Sequence, residues 1–199
     1  MVSELFTAIH NIMPVWTVSR AAGVTSYLLL FVSVVTGMSA HYHFMKPRTK
    51  ARINLVHQST GWFGLLFGMV HGLVLTFSTY ENFSIWDVLI PFISKSNPIL
   101  IGIGILSLYI MILLIVTSDY MKALGHKTWK AIHFLAFPAF IGVFIHSVML
   151  GPDAHYPFMM FLYASTAMIT IAALILRISI RPPKKTVRPT EQRAARHTG

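Results

Sequence analysis

The sequence predicts an all-α, polytopic membrane helix bundle: about five transmembrane helices preceded by a short N-terminal apolar segment. Three observations carry this. Of 199 residues, 55% are hydrophobic and only 11% charged. The apolar residues gather into runs of about 20 or more with no Asp, Glu, Lys or Arg well inside them, the length a bilayer crossing needs. The Lys and Arg residues between those runs fall almost entirely on one side. In hydrocarbon every backbone N–H and C=O must be satisfied within its own segment, so the runs are helices.

The spans cover residues 21–40, 53–77, 98–117, 129–150 and 158–178. Ahead of them, Leu5–Ser19 is apolar but short and interrupted by Pro14, so residues 1–19 are expected to be an interfacial or partial membrane segment. No basic region precedes this segment and no small-residue cleavage site follows it, which argues against a signal peptide. Residues 20–180 then form a single membrane domain, with no evident internal repeat. Residues 181–199 form a basic tail whose low apolar content predicts disorder.

Fourteen of the sixteen Lys and Arg residues lie on one side: Lys46 to Arg52, Lys122 to Lys130, and Arg177 onward. Arg20 and Lys95 lie on the other. The positive-inside rule makes the basic side cytoplasmic, with the N-terminus outside a multi-pass cell-membrane protein and the C-terminus inside. The net charge of +10 is therefore mostly a topology signal. The basic tail directly follows a span, which points to lipid headgroups rather than nucleic acid. With no cysteine, disulfides, thiolate metal sites and thioether-attached haem are all excluded.

His57 and His71 are fourteen residues apart in the second span, and His133 and His146 thirteen apart in the fourth. A neutral imidazole inside a bilayer is costly without a partner. At 1.5 Å per residue the spacings are roughly 21 and 20 Å, which puts one histidine of each span near each face of the membrane. Spans two and four run parallel, so topology pairs His57 with His133 and His71 with His146. Imidazoles from facing helices are a natural axial ligand set for haem iron. Any haem here must be held non-covalently.

On a regular helix Gly61, Gly64 and Gly68 share the face of His57 and His71. They are expected to let something flat and wide, such as a porphyrin, approach the backbone. Gly64, Gly68 and Gly72 also form a small-xxx-small run, which taken alone indicates helix packing. From His133 to His146 a straight helix turns through roughly 220°, so Pro138 is expected to kink or overwind the segment between them.

The run His57-Gln58-Ser59-Thr60-Gly61 through Gly68-Met69-Val70-His71-Gly72 resembles the first haem-binding helix of the ferric reductase-like transmembrane family. Leu124-Gly125 with Trp129-Lys130-Ala131-Ile132-His133 through His146 resembles the second, and Arg20-Ala21-Ala22-Gly23 the start of an earlier helix. The family includes the membrane parts of ferric reductases and NADPH oxidases and the haem subunit of a bacterial methionine sulfoxide reductase. The resemblance covers about residues 20–178. It implies two b-type haems on His57, His71, His133 and His146, passing electrons across the bilayer. Many members continue into a flavin- and nicotinamide-binding domain; these residues hold no Gly-rich dinucleotide fingerprint. The expectation is an oxidoreductase component that takes electrons from a cytoplasmic flavoprotein, reduced flavin or quinol. It would pass them to an extracytoplasmic acceptor: ferric iron, oxygen, a quinone or a partner enzyme.

Arg52, Lys127 and Lys130 lie just cytoplasmic to the inner histidines and could bind anionic haem propionates, although the positive-inside bias also explains them. Arg20 has the corresponding position on the outer side, where few other cations lie. His41 and His43 could meet a donor or a propionate, and His126 and His155 read as loop residues. Met69, Met149 and Trp62 lie near the histidine levels, with packing the plainer role for the methionines. Trp86, Trp129 and Tyr156 fit interfacial aromatic belts. Glu81 and Asp87 could attract a cation in the outer loop. Two other classes stay open: a transporter or proton relay using buried histidines, and a non-catalytic membrane anchor for a redox partner.

Overall fold

The structure, a computed structural model, describes residues 15–40, 42, 45–78 and 83–180. All regular structure among them is helical. Helix α1 (Val15–Ser39) follows Pro14 in sequence, a residue that costs little at a helix start because it has no N–H to lose there. Residues 15–19, expected within the N-terminal segment, belong to this first helix. Residues 1–14 and the tail 181–199 lie outside the described residues, as do His41, His43 and Glu81.

Helix α2 (Pro47–Leu75) begins with proline at its first turn and runs back antiparallel to α1. A short helix α3 (Ile85–Leu89) follows, then α4 (Pro98–Asp119), α5 (Met121–Leu124), α6 (His126–His133), α7 (Ala136–Leu150) and α8 (Pro157–Ser179). Gly125, at φ 80°, makes the corner between α5 and α6, a conformation that side chains rarely adopt. Among the described residues, α1, α4, α8 and the α6–α7 unit are long and apolar enough to cross a membrane. Helix α2 has the length, at roughly 43 Å. Its hydropathy is diluted by the two histidines and by Gln58, Ser59 and Thr60.

The expected fourth span is two helices, broken at Phe134–Leu135. The Leu135 N–H donates to Ile132 O at 2.9 Å and the Phe137 N–H to Phe134 O at 3.3 Å, both bonds reaching back three residues. Pro138, one turn later, has no N–H with which to continue an α-helical ladder. The chain tightens just before it and turns by about 120° per residue instead of 100°.

Helix α1 packs most extensively on α2, and α4 on α7, while α1 also touches α7 and α8. These contacts make α1 the centre of the bundle. The core gathers around Tyr27, which is 1% exposed, with Leu30, Leu65, Met111, Phe140 and Tyr163. The Tyr27 ring stacks on Phe140 at 6.0 Å and meets Tyr163 edge-on at 5.2 Å. Its hydroxyl lies 2.5 Å from Thr166 Oγ1. In lipid, helix association rests on such packing and on hydrogen bonds rather than on the hydrophobic effect. Tyr27 and Phe140 fall midway along their helices between the two histidine levels, so this aromatic core separates them.

Candidate metal centres

The structure brings the four histidines together in two pairs, at the two levels the topology requires. The ring centroids of His57 and His133 are 6.1 Å apart with planes at 75°, and those of His71 and His146 are 6.2 Å apart at 83°. Two imidazoles bound to opposite sides of one metal, at about 2 Å per bond, have centroids roughly 6 Å apart. Among the described residues no cluster of three or more His, Asp or Glu could cage a metal ion. Each level therefore offers two imidazoles as its candidate donors.

Three of the imidazoles are seated in the same way. His57 Nδ1–H donates to Ser33 O, His71 Nδ1–H to Ser19 O and His146 Nδ1–H to Leu100 O, each at 2.8 Å. A carbonyl oxygen only accepts, so the hydrogen bond assigns the proton to Nδ1 and leaves the Nε2 lone pair for a metal. Four residues after each carbonyl comes a glycine under the ring: Gly37 under His57, Gly23 under His71 and Gly104 under His146. A Cβ added there would stand 2.9, 2.9 and 2.6 Å from ring atoms, so each glycine is fixed by close approach. The serine hydroxyls reinforce the seats, Ser33 Oγ donating to His57 O at 3.0 Å and Ser19 Oγ to His71 O at 3.3 Å.

His133 departs from this pattern. Its Nδ1 is buried and has no hydrogen-bond partner among the described residues. Trp129, expected in an interfacial belt, instead stacks on it at 4.9 Å and 29°.

The glycines of α2 also differ from expectation. Gly61 and Gly64 face α1, where an added Cβ would meet Ser33 and Leu30, and Gly64 O accepts from Ser26 Oγ at 2.7 Å. They serve close helix packing. Gly68 backs onto Ser26 while also lining the cavity described next. Ser19, Ser26 and Ser33, seven residues apart, thus meet His71, Gly64 and His57, also seven apart. The Ser-x-x-x-Gly echo at 19–23 and 33–37 was the sequence signal for these seats. It needed knowledge of which helix lay opposite.

A cavity of about 440 Å³ surrounds the His71–His146 pair, lined by Gly23, Gly104, Arg20 and Asp153 among others. Arg20 sits at this cavity, with Nε donating to Asp153 Oδ2 at 2.7 Å and Nη2 to the other carboxylate oxygen. Its guanidinium thus already holds a carboxylate that the sequence had not singled out. Arg52 is exposed on the first turns of α2, before His57. Asp87 also reaches the cavity, but its carboxylate accepts from the Ser84 hydroxyl and N–H in a capping box at the start of α3. Those bonds hold it below the usual carboxylate range, and it serves as a helix cap.

Other candidates stay apart from the pairs. Trp62, Met69 and Met149 are exposed at 53%, 39% and 64%, facing out of the bundle. His126 stacks loosely on Trp129 and His155 on Tyr156, both histidines being exposed.

The sequence matches a family described as "Ferric reductase like transmembrane component" over residues 22–144, well over half of the chain and inclusive of His57, His71 and His133. No curated protein and no solved structure matches it individually.

Proposed function

This chain belongs to the ferric reductase-like transmembrane component family, and on that premise we propose that it is a di-haem cytochrome b carrying electrons across a membrane. The observation that supports this most is the pair of centroid distances, 6.1 and 6.2 Å, at two levels roughly 21 Å apart. His57 with His133, and His71 with His146, would hold one b-type haem each. A bound haem supplies one-electron transfer at its iron. The chain's own residues do the rest. Ser33, Ser19 and Leu100 carbonyls fix three imidazole tautomers, and Gly37, Gly23 and Gly104 let those rings lie against the helix backbone. Arg20, shared with Asp153, and on the other level Arg52, Lys127 and Lys130 are candidate cations for haem propionates.

The one-sided positive charge supports cytoplasmic entry, from a flavoprotein, reduced flavin or quinol, and delivery to an acceptor outside. Ferric iron, oxygen, a quinone or a partner enzyme all suit such an exit. The basic segments 46–52 and 122–130 form the surface that an acidic donor would meet.

The deciding experiment is pyridine haemochrome quantification of protein purified under haem-replete conditions. The expected stoichiometry is about two haems per chain, from two bis-histidine sites. A value well below one overturns the proposal and leaves transport or membrane anchoring as the explanation of the histidines. Histidine substitutions assign the centres: His57 or His133 removes one haem, His71 or His146 the other. For direction, vesicles with the basic face inward are loaded with reductant and supplied with an impermeant acceptor outside. Outer acceptor reduction is expected, and equal reduction with the vesicles inverted overturns the directional claim.

A further inference from the structure

We propose that Trp129 is the positioning residue of His133, doing by ring stacking what a backbone carbonyl does for the other three histidines. This deepens the di-haem reading and rests on it. Helix α4 runs antiparallel to the α6–α7 unit. His146 takes Leu100 O near the start of α4, with Gly104 one turn on. Fourteen residues further along α4 stand the counterparts, Leu114 and Ser118. In the three regular seats the short side-chain donor to the carbonyl is the imidazole, at 2.8 Å, even at Ser33 O, which also accepts from Thr36 Oγ1 at 3.1 Å. At Leu114 the short side-chain donor is instead Ser118 Oγ, at 2.7 Å, with Thr117 Oγ1 at 3.2 Å. Where the other seats have a glycine, this one has a side chain.

The same Ser118 hydroxyl accepts from Trp129 Nε1–H at 3.2 Å, while the indole face covers His133. Thus the residue that closes the carbonyl seat also tethers the ring that replaces it. An imidazole without an Nδ1–H···O=C bond is a weaker donor, because such a bond raises ligand basicity. His133 is therefore the weakest of the four ligands, and the inner centre depends on Trp129 for its geometry.

The test uses the full chain in a His71→Leu background, so that only the inner centre is loaded. Trp129→Leu should weaken haem retention about tenfold or more, in the range typical of lost ligand-orienting partners, and alter the low-spin signal. Trp129→Phe, which keeps the stack, should restore both. Ser118→Gly releases the indole tether and opens the carbonyl seat together, so Leu114 O should take over the role of Trp129, strengthen His133 as a donor and shift the inner midpoint potential downward. Unchanged retention and signal in Trp129→Leu overturn the proposal. Should that variant lose its fold, Ser118→Gly decides, and an unmoved or raised midpoint overturns it. A wild-type protein without haem overturns the di-haem reading itself, a result distinct from either.

Discussion

Helices α1 and α2 are nearly symmetric about their midpoint, whereas α4 and the α6–α7 unit are not. In the first pair, Ser19–His71 and Ser33–His57 are the same seat repeated at fourteen residues, with Ser26–Gly64 at the centre. In the second pair only Leu100–His146 is a seat of that kind, and the corresponding position is closed by Ser118. Fourteen residues rotate a helix by about −40°, and two antiparallel helices with the same spacing drift together. Thirteen residues rotate it by roughly 220°, which α6–α7 accommodates only by breaking at Phe134–Leu135. The two histidine levels look equivalent in spacing, yet one half of the bundle treats them alike and the other does not. Equal residues therefore do not imply equal surroundings: the His71–His146 pair is held by carbonyls at both imidazoles, the His57–His133 pair at one.

The largest expected effect comes from filling a seat. A Cβ at Gly104 would stand 2.6 Å from His146 Nδ1, with ring carbon atoms at 2.7 and 3.0 Å, so the ring must move. Gly104→Val should reduce haem content from about two to about one per chain and spare the inner centre, since each bis-histidine site stands on its own pair. Gly37→Val should do the reverse by displacing His57. Haemochrome quantification of the two variants checks this, and loss of both haems from either would break the claim that the levels are independently seated.

Much of this was legible in the residues. The spans, the four histidines and their pairing follow from hydropathy, from the alternation of basic segments and from 1.5 Å per residue. The seats were not legible in that way, because a backbone carbonyl leaves no mark in sequence. The glycines that mark them gain meaning only once the opposing helix is known. Gly61 and Gly64 share the histidine face, yet they serve α1 packing. That face of α2 has a helix in front of it, and the histidines reach past that helix only through their rings. Trp129 was hidden for the opposite reason: an aromatic residue near a membrane interface has an ordinary explanation, and only its 4.9 Å stack on His133 overrides it.

The smallest expected effect separates the two levels by charge. Arg20 and Asp153 form a bidentate pair at the outer cavity, roughly 21 Å along the helix axes from the inner histidines. Their side chains are 43% and 26% exposed, so the pair adds little stability, about 0–1 kcal/mol. On the di-haem reading its influence would fall on the haem held by His71 and His146. Asp153→Asn removes a negative charge and leaves Arg20 uncompensated, which favours the reduced state and raises the outer midpoint potential. Arg20→Gln leaves Asp153 uncompensated and lowers it. Water and salt screen both shifts, so each should shrink as ionic strength rises from 0.01 M toward 0.15 M, where the Debye length falls from about 30 to about 8 Å. Redox titration of each variant at two salt concentrations checks the sign and the screening. Because the two substitutions act in opposite directions on one centre, general loosening of the bundle does not reproduce the pattern. Equal movement of both midpoints would show that the Arg20–Asp153 pair acts on the bundle as a whole, and the charge distinction between outer and inner levels would fail.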